Sequence, residues 1–171
     1  KPVEPATFHA RGFSLTTHRE FLVQKSLEIP DITHVFFLDD DTIPPDNCIE
    51  ALLAMKVPIA AGLYRAKKKK DEGGLAAWMY SQEHRGYMPI TLKQAGRYVT
   101  VDVTGLGCCM IHRSVFEKLP KPWFRWDPPP GISEDFWFFA QCAGHLQIKP
   151  VVDMEMRCKH IAEVGLDVEG N

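Results

Sequence analysis

Three carboxylates in a row, Asp39-Asp40-Asp41, close the apolar run His34-Val35-Phe36-Phe37-Leu38. Adjacent carboxylates repel one another, so such a cluster is most easily explained by a divalent cation or polar ligand that compensates the charge. If the chain stays extended, side-chain alternation puts Asp39 and Asp41 on the same side. The plainer alternative is that the triplet caps the helix that follows and binds water. A second acidic group, Ser133-Glu134-Asp135-Phe136-Trp137, has the form of a helix start. There the helix dipole and backbone N–H groups hold a carboxylate ionised, which suits a base acting on a hydroxyl whose proton leaves late. An ordinary acidic helix start reads the same way. His160 ends an alternating run and completes a metal site if the fold carries it to the acids; otherwise it is structural or exposed.

These groups need elements to hold them. The polar start at Thr16-Thr17 and the stop at Pro30 predict a helix from Thr16 to about Glu28, with Phe21, Leu22, Lys25 and Leu27 near helical spacing. The run from His34 to Asp39 is too short for a helix and reads as a strand buried on both faces of a parallel sheet. Pro44 and Pro45 then pre-set a helix over about 46–55, and a strand at 57–61 follows, which makes a βαβ unit. Between Tyr64 and Gly96 the pattern breaks into a long loop with a hairpin, and it contains Lys67 to Lys70, either a lid over a diphosphate or a solvated charge run. Strands are expected at 98–103 and 106–111, and a short helix at 113–119. A buried helix opens at Ser133 and stops at Gly144. The alternation of Val152, Met154, Met156 and Cys158 predicts a half-exposed strand that ends at His160, before a loose tail over 161–171.

The chain has 171 residues, with 20 Lys and Arg against 22 Asp and Glu, a net charge of -2. That balance argues against a broad nucleic-acid surface, and no stretch approaches the roughly 20 apolar residues a membrane helix needs. One α/β domain with a real core is the expectation. Five cysteines, an odd number without a CxxC pair, read as buried reduced thiols and favour a reducing, cytoplasmic setting. A zinc site on Cys158 and His160 would need two further ligands at matching spacing, which the sequence does not offer. A haloacid-dehalogenase-type phosphatase also carries paired aspartates after an apolar strand. Here, however, the position expected to hold Thr or Val is Ile43, and the downstream Lys and Gly-Asp elements are not seen in the expected form.

Taken together, the run 35–41, Gly62-Leu63-Tyr64, Val103 to Ile111 with Gly105 and Gly107, Ser133-Glu134-Asp135 and His160 resemble GT-A fold glycosyltransferases, closest to the family 2-like enzymes of bacteria, archaea and phages. The resemblance covers about Arg11 to His160. It implies an α/β fold with a mixed, mostly parallel, Rossmann-like central sheet flanked by helices. It also implies a nucleotide-sugar donor, a UDP- or GDP-sugar, with a saccharide or other hydroxyl acceptor and Mn²⁺ or Mg²⁺ as cofactor. By the same resemblance, Arg11, Arg19, Asp39, Asp40, Gly105 and Gly107 would contact the nucleotide sugar, and Asp39, Asp41 and His160 the metal. Asp135 would be the base, assisted by Glu134, in a single displacement that inverts the anomeric carbon. Trp123 and Trp126, flanked by Pro122 and Pro128 to Pro130, are the candidate acceptor wall. The chain departs from the family pattern at its start, which falls after the strand and helix that hold the nucleotide base, and at Glu20, where Asn is common. A non-catalytic nucleotide- or sugar-binding remnant of the same fold is the alternative.

Overall fold

The computed structural model describes residues 6–7, 14–66, 74–93, 96–126 and 133–161. Arg11, Lys67 to Lys70, Pro128 to Pro130 and nearly all of the expected tail lie outside the described residues. Helix α1 (Leu15–Leu27) starts at Ser14, whose hydroxyl accepts the Thr17 N–H. It buries Arg19, Val23 and Ser26 rather than the expected apolar stripe, while Phe21 stays exposed under the Lys25 ammonium, 5.9 Å from its ring centre. The inward face of α1 thus carries a cation into the fold, and apolar spacing could not reveal it.

After α1 come β1 (His34–Leu38), β2 (Thr42–Ile43), α2 (Cys48–Ala54) and β3 (Ile59–Leu63). A hairpin follows, β4 (Ala77–Ser81) and β5 (Gly86–Pro89), then β6 (Tyr98–Thr100), β7 (Val103–Thr104), β8 (Cys108–His112) and α3 (Arg113–Lys118). Helix α4 (Glu134–Gln141), β9 (Val151–Arg157) and β10 (Lys159–His160) complete the order. Helix α4 does not stop at Gly144. It widens into a π-helical turn over Cys142–Leu146 and closes at Gln147, which takes the left-handed conformation with φ 56°.

The main sheet has the order β1-β8-β3-β9-β6. This corrects the expectation of a mostly parallel, Rossmann-like central sheet. Only β3 and β9 pair in parallel, whereas β1–β8, β8–β3 and β9–β6 are all antiparallel. The strand–helix–strand unit β1-α2-β3 is real, yet β1 and β3 do not touch, because β8 inserts between them and runs the other way. A continuous apolar run reports burial on both faces and carries no information on strand direction, so the sequence pattern is the same for either arrangement. Two smaller sheets join the main one: β5-β4-β7, and the pair β10-β2.

The strands alternate between two apolar layers. From β3 and β8, Ile59, Ala61, Leu63, Cys109 and Ile111 face Val23 of α1, Val115 and Phe116 of α3, and Phe138 and Phe139 of α4. On the other side Ala60, Cys108 and Met110 meet Cys48 and Leu52 of α2. Helices on both faces explain why β3 and β8 read as uninterrupted apolar runs.

Candidate active site

The acid triplet begins where β1 ends. Asp39 N–H donates to Gly107 O (3.1 Å) and Thr42 N–H to Asp39 O (3.0 Å), so the chain turns between them and presents the three carboxylates past the strand end. Strands β2 and β10 then pair Thr42 with His160, and Ile161 N–H donates to Asp41 O (2.8 Å). This pairing brings together two side chains far apart in sequence: His160 Nε2 lies 3.1 Å from Asp41 Oδ1. The other ring nitrogen, Nδ1, lies 2.6 Å from the Arg65 carbonyl oxygen and must donate to it. That fixes the tautomer, because Nε2 then faces a carboxylate either as an imidazolium or with its lone pair towards a shared cation.

A divalent cation fits this pair by donor chemistry, since carboxylate oxygen suits Mg²⁺ or Mn²⁺ and imidazole is a common further ligand. Neighbouring ligand atoms each about 2.1 Å from an octahedral ion lie about 3.0 Å apart, close to the separation seen. Among the described residues no set of three or more His, Cys, Asp or Glu side chains converges to hold a metal ion. Asp41 and His160 would supply at most two ligands among the described residues, so a cation there would need its remaining ligands from water or a bound substrate.

Beneath the acids lies Arg19, only 5% exposed. Its Nη2 is 3.2 Å from Asp39 Oδ1 and 3.7 Å from Glu134 Oε1, while Nη1 is buried without a partner among the described residues. Arg19 thus ties the end of β1 to the start of α4 from below, and its burial withholds it from a bound nucleotide. Burial pushes the Glu134 carboxyl above its ordinary range, and Arg19 opposes the shift. The same two influences act on Asp39, whose net shift is also upward. Glu134 is 5% exposed and faces Arg19, so it braces the start of α4. Asp135, one residue on, is half-buried; its Oδ1 accepts the Phe136 N–H (2.8 Å) and a short hydrogen bond from the Ser133 hydroxyl. Glu20 also turns inward, taking the Phe124 N–H at 2.8 Å.

The tyrosine after β3 is the residue whose role the sequence concealed. Tyr64 is buried, its hydroxyl accepts the Gly107 N–H (2.9 Å), and its ring packs edge-on against His160 with centroids 5.4 Å apart. Gly105 and Gly107 are small because Tyr64 fills the space: a Cβ at Gly107 would sit 2.8 Å from Tyr64 Oη and 3.0 Å from Asp39 Oδ2. A Cβ at Gly105 would overlap Tyr64 Oη outright. Burial drives the phenol pKa far upward, so Tyr64 is neutral at physiological pH. Two glycines two residues apart, facing a strand that ends in a large ring, were the available signal. Gly105→Ala is expected to destabilise the fold by about 1–3 kcal/mol. Tyr64→Phe should relieve that only in part, because the ring carbon Cζ still crowds the new methyl at 2.9 Å; thermal unfolding of both single variants and the double variant checks this.

The two acceptor-wall tryptophans separate. Trp123 is 2% exposed and its indole N–H donates to Phe116 O (3.1 Å) and Leu119 O (3.2 Å), so it belongs to the core. Trp126 is 54% exposed. Trp137, on the helix expected to be buried, is half-buried with the Arg125 guanidinium 5.2 Å from its ring centre. Asp40 is exposed beside the site. Two grooves lie along α1, one bounded by Glu20, Lys121 and Phe124, the other by Gln24, Phe116 and Trp123; neither is lined by the acid cluster.

Among the described residues no helix is long and apolar enough to cross a membrane. No protein-family model matches the chain, and neither does any curated protein. Among solved structures, the crystal structure of A197 from STIV is similar, with a TM-score of 0.65 and 22% identity, over 90% of this chain and 70% of that one. The likeness shows a shared fold.

Proposed function

We propose that this chain is a metal-dependent glycosyltransferase that moves a sugar from a nucleoside-diphosphate donor, a UDP- or GDP-sugar, to an acceptor hydroxyl. The observation that carries the reading is the Asp41–His160 pair. Its imidazole is oriented by a backbone carbonyl, and the pair lies just past the end of β1, near enough to Asp39 to act on it electrostatically. Asp135 and Asp39 both influence Tyr64 electrostatically, so the two acid groups lie within reach of one buried ring.

Asp41 and His160 are the residues that would hold a divalent cation, which would supply Lewis-acid stabilisation of the charge on the leaving diphosphate. Asp135 Oδ2 takes the proton of the acceptor hydroxyl as that oxygen attacks the anomeric carbon, while Oδ1 stays anchored to Phe136 N–H and Ser133. Arg19 and Glu134 hold the Asp39 and Asp135 segments at a fixed separation. Tyr64 keeps the Gly107 amide satisfied and shields the buried side of His160 from water.

With Mn²⁺ and UDP or GDP at about a hundredfold above their dissociation constant, stability should rise by about 2.7 kcal/mol, roughly 5–10 °C in Tm. In Asp41→Ala the metal-dependent part of that rise should vanish. A rise with nucleotide that ignores both the metal and Asp41→Ala supports the binding remnant instead, and no rise with either nucleotide overturns the proposal.

A further inference from the structure

A ladder of aromatic rings leads outward from the acidic start of α4. Phe136 follows Asp135 directly, and its ring lies 5.1 Å from both Trp78 and Tyr87. Tyr87 in turn meets Tyr80 edge-on at 5.5 Å across the β4–β5 hairpin, where the two residues are register partners. Trp78 is half-buried, whereas Tyr80 and Tyr87 are 46% and 44% exposed. The hairpin is held in place: Tyr80 N–H donates to Asp102 Oδ2 (2.7 Å), and Lys149 Nζ pairs with Asp102 Oδ1 (2.6 Å).

Cross-strand pairing alone explains one exposed aromatic pair. Phe136 and Trp78 pack against the core, and from that edge, one residue in sequence from the candidate base, the rings continue to Tyr80 and Tyr87 in solvent. Tyrosine offers a rigid apolar face with a hydroxyl at its tip, at low entropic cost. A pyranose ring has the complementary shape, an apolar C–H face rimmed by hydroxyls.

We propose that Tyr80 and Tyr87, continued inward by Phe136, form the subsite for a saccharide acceptor chain, whose terminal hydroxyl is thereby led to Asp135. The inference rests on the glycosyltransferase reading and names the acceptor class for that same site. It replaces Trp123 in the role expected of it, since Trp123 is enclosed in the core.

The test is saturation-transfer NMR of the whole chain with maltohexaose, cellohexaose and chitohexaose as probes. At least one hexasaccharide should bind, with its ring protons saturated, and Tyr80→Ala/Tyr87→Ala should weaken that binding at least tenfold. Tyr80→Thr, which keeps strand propensity, guards against a hairpin that fails to form and should weaken binding in the same direction. Asp135→Asn should still bind the saccharide. No binding to any of the three, or binding that ignores both tyrosine changes, overturns the subsite. Mn²⁺-dependent hydrolysis of UDP- or GDP-sugars by the wild type is followed in parallel. Its absence alongside tyrosine-dependent saccharide binding overturns the transferase reading and leaves the subsite standing, while hydrolysis without such binding does the reverse.

Discussion

Asp135→Asn is expected to lower sugar transfer roughly 10²–10⁴-fold, the usual contribution of a positioned general base. The amide is close in shape to the carboxylate, and its carbonyl oxygen can still accept the Phe136 N–H and the Ser133 hydroxyl that anchor Oδ1. The fold should therefore keep its stability to within about 0.5 kcal/mol, and the KM for the donor should barely move, because the Asp41–His160 pair proposed to bind it lies on β10 and the turn after β1. What is lost is the lone pair that receives the acceptor proton. Steady-state kinetics with a fixed acceptor separate these effects, since a fall in kcat at constant donor KM marks a group that acts in the transition state. NMR of the product anomer supplies the second arm. One displacement with Asp135 as base inverts the anomeric carbon, and a retained configuration removes Asp135 from that role.

The largest effect on stability is expected at Arg19. Removing one partner of a buried ionic group typically costs 3–5 kcal/mol, because charge is left behind without compensation. Arg19→Ala leaves Glu134, 5% exposed, and part of Asp39 in that position. For a chain of this length the loss corresponds to roughly 6–20 °C in Tm. The sign of its pH dependence follows from the shifted carboxyls. Burial already raises Glu134 and Asp39 above their ordinary values, so the folded state binds more protons than the unfolded one, and stability falls as pH rises through the carboxylate range. Without Arg19 the carboxyls shift further up and the fall steepens. The deficit of Arg19→Ala against the wild type should thus be smaller at pH 4 than at pH 7, because protonation of the two acids relieves the charge left without its partner. Glu134→Gln in the Arg19→Ala background should recover part of it, since a buried amide demands less than a buried carboxylate. Denaturant unfolding at the two pH values checks both points, and a deficit independent of pH would show that packing, not charge, dominates at Arg19.

The sequence made the polar half of the site legible and left the apolar half obscure. Asp39, Asp41, Asp135 and His160 stand out because each ends or begins an element where a charged or titratable group has no packing reason to be. The direction of β8 was hidden, since Cys108 to Ile111 is buried on both faces whichever way it runs. Tyr64 was hidden because its hydroxyl meets Gly107 N–H and the space beside Gly105 and Gly107, which have no side chains to suggest a contact, and because His160, against its ring, lies 96 residues away. Trp123 was misleading for the opposite reason. A tryptophan among prolines suggests an exposed loop, yet this one closes the core with its N–H satisfied by two carbonyls. The tyrosines of the hairpin fell in a stretch without clear periodicity, and only the register of β4 against β5 brings them together.

The insertion of β8 between β1 and β3 also bears on the order in which the molecule can assemble. Neither β1 nor β3 has a sheet partner earlier in the chain, so both wait for Cys108–His112, and β1 waits across about seventy residues of intervening chain. Long-range pairing of this kind pays its loop-closure entropy before any contact forms, which slows folding. During synthesis from the N-terminus, the first two strands of the main sheet emerge with open apolar edges. The strand that closes them carries Gly107 just ahead of it, and Gly107 O fixes the Asp39 N–H, so the acidic turn and the sheet that supports it are completed in one step.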